Sequence, residues 1–184
     1  SDRARVVQSA PVRRLQQKTQ VFPLDVKASV RSRLTHSLEV QQAGREVMLA
    51  LLPRLGAELP DVPLLNLMEM ACLLHDVGNP PFGHFGESVL REWLATHLPA
   101  LYERSLQRTP SRQWQTLLLP DLLAFDGNAQ SLRLVHSLQR LNLTFSLLAS
   151  LIKVPMGVME VAADQEAMPT KVGYFFSERH LVAA

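Results

Sequence analysis

A chain of 184 residues, 47% of them hydrophobic, is about one domain by length and carries enough apolar side chain for a packed core. The net charge of +2, from 19 Lys and Arg against 17 Asp and Glu, leaves nucleic acid as a partner without support in the charge. A single cysteine, Cys72, excludes an internal disulfide and fits a reducing compartment, so a cytoplasmic protein is expected.

The basic residues gather toward the start, at Arg3, Arg5, Arg13, Arg14, Lys18, Lys27, Arg31 and Arg33, where a local anion site is expected. No apolar run approaches about 18 residues and no charged-then-apolar leader opens the chain, which gives a membrane span no support. The start at Ser1 rather than Met is expected of an excerpt from a longer protein.

In chain order, a short helix is expected before Pro23, followed by a loop. From His36 the apolar residues Val40, Ala43, Val47 and Leu51 recur at helical spacing, which predicts a helix with that face inward and His36 at its head. A lone inward histidine is more often a satisfied core residue than a ligand. Pro53, Gly56 and Pro60 predict a break, and a second helix is expected from about Pro63, with Leu67, Met70, Ala71 and Leu74 buried.

That second helix ends in His75-Asp76, and Gly78-Asn79-Pro80-Pro81 stops it. An imidazole nitrogen beside a carboxylate oxygen suits a divalent cation of intermediate softness. The bland alternative is a helix end with a local hydrogen bond. A further helix beginning near Phe82 sets His84 and Glu87 three residues apart on one face, where the acid can orient the imidazole. Gly83 and Gly86 weaken that helix and are expected to mark close backbone approaches.

Val89, Leu90, Trp93, Leu94 and Leu98 are expected to continue the helix with an apolar side, with His97 as a surface or packing residue. Trp114 stands among leucines and reads as packing before it reads as a base-stacking platform. Asp126-Gly127-Asn128 is a turn and helix-start signal, followed at helical spacing by Leu132, Val135, Leu138 and Leu141. Asn128 could face an anion there or serve as an N-cap. A helix over Thr144–Lys153 is expected to end at Pro155, then a loop, then a last helix opening near Ser177.

Four stretches together carry a resemblance. They are Arg14 through Phe22, Arg33-Leu34-Thr35-His36-Ser37, His75 through Glu87, and Asp126-Gly127-Asn128-Ala129-Gln130. The chain resembles the HD-domain deoxyguanosine triphosphate triphosphohydrolases over most of Pro11 to Pro155. Other HD-domain hydrolases usually place a Lys soon after the Gly, where Asn79-Pro80-Pro81 stand here.

The resemblance implies an all-α HD-domain fold, incomplete at the C-terminus, over 1–184 as a single domain. It also implies hydrolysis of a deoxynucleoside triphosphate to the deoxynucleoside and inorganic triphosphate. By position, His36, His75 and Asp76 are implied as ligands of a divalent metal cation (Mn, Mg, Co, Fe or Zn). His84 supported by Glu87 is implied as the catalytic pair. Arg33, Asn128 and Lys153 are implied near the phosphates, Gln20 near the sugar or base, and a homo-oligomer as the assembly.

The family completes its metal site with a later Asp, which has no matching position before Ala184. Asp164 precedes Lys171-Val172-Gly173-Tyr174 and so stands in the wrong order for that ligand; it is not assigned. Weak metal binding and low turnover are therefore expected of this span by itself. The family's Tyr after the Lys is Val154 here. The alternatives are an HD-type phosphodiesterase on a nucleotide ester and an inactive nucleotide-binding module.

Overall fold

The computed structural model describes residues 1–18, 31–55, 60–106, 111–158, 160 and 171–183. Two short helices, α1 (Asp2–Val7) and α2 (Ala10–Arg14), open the chain, and a 3-10 turn (Leu15–Gln17) follows. The long α3 (Arg33–Leu55) and the shorter α4 (Asp61–Leu74) pack along one another, and α5 (Gly83–Leu106) leads away from them. Then come α6 (Leu119–Leu123), α7 (Gly127–Leu132), α8 (Phe145–Leu151) and α9 (Arg179–Val182). The architecture is all-α. Among the described residues no strand forms, and one isolated bridge pairs Gly157 with Tyr174. No helix there is long and apolar enough to cross a membrane.

The main core joins Val6, Val12 and Leu15 of the opening segment to Met70, Leu73 and Leu74 of α4, and to Leu132, Val135, Leu147, Leu148 and Leu151 beyond. Leu15 and Leu74 are wholly buried, and each such side chain contributes about 1.5–3 kcal/mol of transfer free energy. Met70 and Leu74 are buried as the spacing predicts, while Leu67 and Ala71 are only partly covered. Buried Glu69 joins three helices. It accepts from Arg3 of α1 at 2.6 Å and from Arg45 of α3. Burial by itself would raise its pKa, but the hydrogen bond from Arg45 and the charge of Arg3 hold it below the ordinary value.

Three sequence expectations are corrected here. Helix α3 does not bury Ala43, Val47 and Leu51, which are exposed. Its sealed residues are Arg33 and Ser37. Hydrophobic spacing alone selected the wrong side because a buried charged residue leads the helix. Pro53 does not break α3, which runs to Leu55: a proline in the last turn sacrifices only one backbone bond. On α5, Val89, Leu90 and Trp93 are exposed, so that apolar side has no cover among the described residues.

Trp93 stacks on His97 at 4.8 Å and Trp114 packs against Tyr102 at 4.2 Å, each ring paired with a neighbour. The helix over Leu132 to Leu141 ends earlier than its spacing predicts. Residues Arg133–Leu138 form a wider π turn closed by Gln139 N–H to Leu134 O, and Leu141 lies beyond it.

A second core holds Ala124, Ala129, Val158, Val172 and Phe175. Beside it Arg133 lies 4.1 Å over the Phe175 ring and pairs with Glu178 at 3.3 Å. Asp121 accepts the Phe176 N–H at 2.7 Å, yet its Oδ1 is buried without a partner. Burial, with repulsion from Glu178 added, pushes the Asp121 carboxyl up to about 6 from an ordinary 3.8; Phe176 and Arg133 offset this only in part.

The folded chain therefore holds the Asp121 proton more tightly than the unfolded one. Its contribution to stability is fullest below about pH 4 and is lost as pH rises through about 6. Asp121→Asn keeps the acceptor for Phe176 without the charge. Its melting temperature should overtake that of the unsubstituted chain between pH 4.5 and 7.5, with a gain on the order of 2 kcal/mol at neutral pH. An equal offset at every pH would remove the titration argument.

Candidate metal and phosphohydrolase site

The site is built at the end of α4. Beyond Leu74 the chain passes into three-residue turns, Pro80 and Pro81 have no N–H with which to resume the helix, and Gly78 lies against α7. A Cβ on Gly78 would stand 2.1 Å from Gly127 O, a backbone atom that cannot move aside, so only glycine permits this approach. Gly78 N–H donates to Ser131 Oγ at 3.0 Å, and Ser131 Oγ donates to Gly127 O at 2.9 Å. The turn after His75-Asp76 is thus fastened to the first turn of α7.

His75 uses Nδ1 toward Cys72 O at 2.7 Å. A carbonyl only accepts, so Nδ1 carries the proton and Nε2 presents a lone pair in the neutral ring. Burial lowers the His75 pKa, ahead of the opposing attraction of Asp76, and favours that neutral form. Nε2 lies 3.3 Å from Asp76 Oδ1, so two electron-rich atoms face one another. A cation between them reconciles that contact.

His36, from α3, brings its ring to 5.3 Å from that of His75, edge-on at 67°. One ligand atom from each of His36, His75 and Asp76 lies within 4.8 Å of the others. Two ligands at about 2.0–2.2 Å from one ion stand roughly 3–4.4 Å apart, so modest closure would bring these three atoms to ligand spacing. The donor set, two imidazoles and a carboxylate, fits a divalent cation.

Around the triad lies a supporting layer. Asp76 Oδ2 accepts from Arg33 Nη1 at 2.8 Å and Oδ1 from Asn79 Nδ2 at 2.8 Å. Arg33 is only 5% exposed, and in this arrangement its guanidinium serves Asp76, whereas the resemblance implied the phosphates. A Cβ on Gly83 would sit 2.6 Å from Arg33 Nη2. Gly83 also has φ +58, directly after Phe82 at φ 66, so the chain enters α5 through two left-handed residues. Glycine adopts that conformation freely, while Phe82 costs roughly 1–2 kcal/mol.

His84 and Glu87 follow on the first turn of α5. His84 is 78% exposed in its side chain and Glu87 4%, with Nδ1 to Oε2 at 2.8 Å. Glu87 Oε1 accepts the Gly127 N–H at 3.0 Å, and Arg91 lies 3.8 Å from Oε2. A buried, anchored carboxylate therefore grips one nitrogen of an exposed imidazole and leaves the other free for chemistry. Glu87→Gln keeps the shape but weakens the grip. It should lower turnover by roughly 10-fold, a smaller loss than removing the ring, with little change in metal binding. A loss of metal binding instead would place Glu87 nearer the ion.

Asn128 is not the N-cap of α7. Asp126 is, accepting the Asn128 backbone N–H at 2.7 Å and its side-chain amide at 2.8 Å. One N–H of the Asn128 amide stays available. Lys153 reaches His75 O at 3.4 Å, which brings its charge beside the triad. Gln20 and Asp164 lie outside the described residues.

Sequence reasoning missed Asn79 and Lys18 as parts of the site. Asn79 had a local signal, since an amide three residues after Asp76 in a turn can reach back to it. Lys18 had none, because its contact with Asn79 O spans 61 residues.

The HD-domain family model matches residues 33–114, which contain the triad, Arg33, His84 and Glu87. The chain carries an HD domain. A Pseudomonas aeruginosa protein named "Probable deoxyguanosinetriphosphate triphosphohydrolase" is 50% identical over 99% of this chain and 39% of its own length. Deoxyguanosinetriphosphate triphosphohydrolases of Klebsiella pneumoniae and Serratia proteamaculans are 42% and 41% identical, over 100% and 99% of this chain and 42% of their own lengths. The chain is thus similar to deoxyguanosinetriphosphate triphosphohydrolases over nearly its whole length, and to the HD domain over residues 33–114. It spans about two fifths of the length of the curated relatives it matches.

Proposed function

We propose that this chain contributes the metal site and catalytic pair of a hydrolase that takes the whole triphosphate from a deoxynucleoside triphosphate such as deoxyguanosine triphosphate. The observation that carries the reading is the convergence of His36, His75 and Asp76, with the His75 lone pair turned toward Asp76. His36, His75 and Asp76 would hold a divalent cation, Mn, Mg, Co, Fe or Zn, which would supply Lewis acidity to a phosphoryl group and lower the pKa of water.

The chain's own residues do the rest. Lys153 and Asn128 offer charge and an amide N–H to the phosphates, and Gln20 is assigned to the sugar or base. Arg33 holds Asp76 in place. His84, oriented by Glu87, moves a proton to or from its free ring nitrogen, at the attacking water or at the leaving 5′ oxygen. Water adds to the α-phosphorus, the bond from phosphorus to the 5′ oxygen breaks, and the deoxynucleoside departs with a proton on that oxygen.

A single domain over 1–184 and a cytoplasmic homo-oligomer belong to the same proposal. The exposed row of Phe85, Val89 and Trp93 on α5 supports a face covered by another subunit.

Product analysis tests the reading. With deoxyguanosine triphosphate and Mn²⁺, inorganic triphosphate and deoxyguanosine should appear together even at a low rate. Pyrophosphate with the monophosphate, or cleavage of a nucleotide diester alone, would overturn it.

A further inference from the structure

We infer that Lys18 is a positioning residue, tying the backbone of Arg33 to the turn that carries Asp76 so that both ends of the buried ion pair stay aligned on the metal site. The inference rests on the metal-site reading proposed above.

The geometry is two-sided. The Lys18 carbonyl accepts the Arg33 N–H at 2.9 Å, which sets the start of α3. The Lys18 ammonium donates to Asn79 O at 2.9 Å and to Val77 O at 3.5 Å. Those two carbonyls flank Gly78 in the turn just after Asp76. Asn79 in turn bonds Asp76 twice, by its N–H to Asp76 O at 3.2 Å and by its amide to Asp76 Oδ1. One residue therefore touches the peptide chain behind both members of the Arg33–Asp76 pair, which themselves meet at 2.8 Å.

A lysine is usually found in solvent, and this one is half-buried against main-chain oxygens. An ammonium accepted by two carbonyls of one turn does locally what a small cation would do, drawing the peptide oxygens to one side. Without it those oxygens lack a donor, the turn relaxes, and the Asp76 carboxylate swings away from His36 and His75. Outer-layer contacts of this kind orient ligands without touching the ion.

The test is Mn²⁺ affinity of the 184-residue chain, read by the loss of free-ion signal in electron paramagnetic resonance, beside the unfolding midpoint in chelator. Lys18→Met keeps the aliphatic stem and removes the donor. It should bind Mn²⁺ about 10–100-fold more weakly while folded, and Lys18→Arg should recover most of the affinity. Affinity of Lys18→Met within twofold of the unsubstituted chain, with only a lowered midpoint, would mean a packing role and overturn the inference. If Lys18→Met does not fold, Lys18→Gln is measured the same way, and failure of both to fold also overturns it. Absence of Mn²⁺ binding by the unsubstituted chain would instead sink the metal-site reading, and this one with it.

Discussion

Replacing His84 by Ala should lower turnover of the proposed deoxynucleoside triphosphate substrate by roughly 10²–10⁴-fold and leave Mn²⁺ affinity close to that of the unsubstituted protein. That is the range expected on losing a general acid or base. The expectation rests on exposure and anchoring together. The ring is 78% exposed, outside the His36, His75 and Asp76 group, yet its Nδ1 is held by a carboxylate that is itself buried and bound to Gly127 N–H. An imidazole with no task would not need so well supported a partner. Single-turnover measurement separates the loss from product release, and calorimetric titration with Mn²⁺ checks the binding. Abolished metal binding would make His84 a ligand. Unchanged turnover with a lower melting temperature would leave it a packing residue of α5.

The second large effect is on stability. Arg33→Met removes one partner of a buried ion pair and leaves the Asp76 carboxylate supported by Asn79 alone. Breaking such a pair costs about 3–5 kcal/mol, because the remaining charge stays out of water without its counter-charge. Urea unfolding in the presence of chelator should show the full cost. Saturating Mn²⁺ should restore part of it, since a cation returns positive charge to Asp76. Should Arg33 chiefly hold substrate phosphate, stability would hardly change while KM rose, and the supporting role would be wrong. The two readings part cleanly because one acts without substrate and the other only with it.

Much of the site was legible before any tertiary structure, and for local reasons. His75-Asp76 followed by Gly78 and two prolines announces a helix stopped beside two ligand-type side chains. The three-residue spacing of His84 and Glu87 announces a paired imidazole and acid, and the two are indeed 2.8 Å apart. The segment from Asp126 to Asn128 announces a helix start. There the cap proved to be Asp126, whose carboxylate precedes the helix and accepts the backbone N–H two residues on, while the Asn128 amide turns back to it. Each of these depends on neighbours within one turn of backbone.

What failed was inference about faces. On α3 the apolar spacing pointed at Ala43, Val47 and Leu51, while the structure seals Arg33 and Ser37. On α5 the apolar row is left open to solvent in this chain. Periodicity reports that a helix has an apolar side, not which neighbour will cover it.

The sequence by itself therefore determined the helical class, the stop of α4 before the two prolines and the start of α7 at Asp126, and which residues could serve as ligands and as proton carriers. Those outcomes follow from backbone geometry, missing N–H groups and side-chain chemistry acting over a few residues. Only the tertiary structure decided that Arg33 lies beneath Asp76, that Lys18 holds the turn 61 residues away, and that Gly127 anchors Glu87 across 40 residues. Such contacts depend on how buried polar groups find partners once the helices have packed, a condition imposed by the low polarity of the interior rather than by any local pattern.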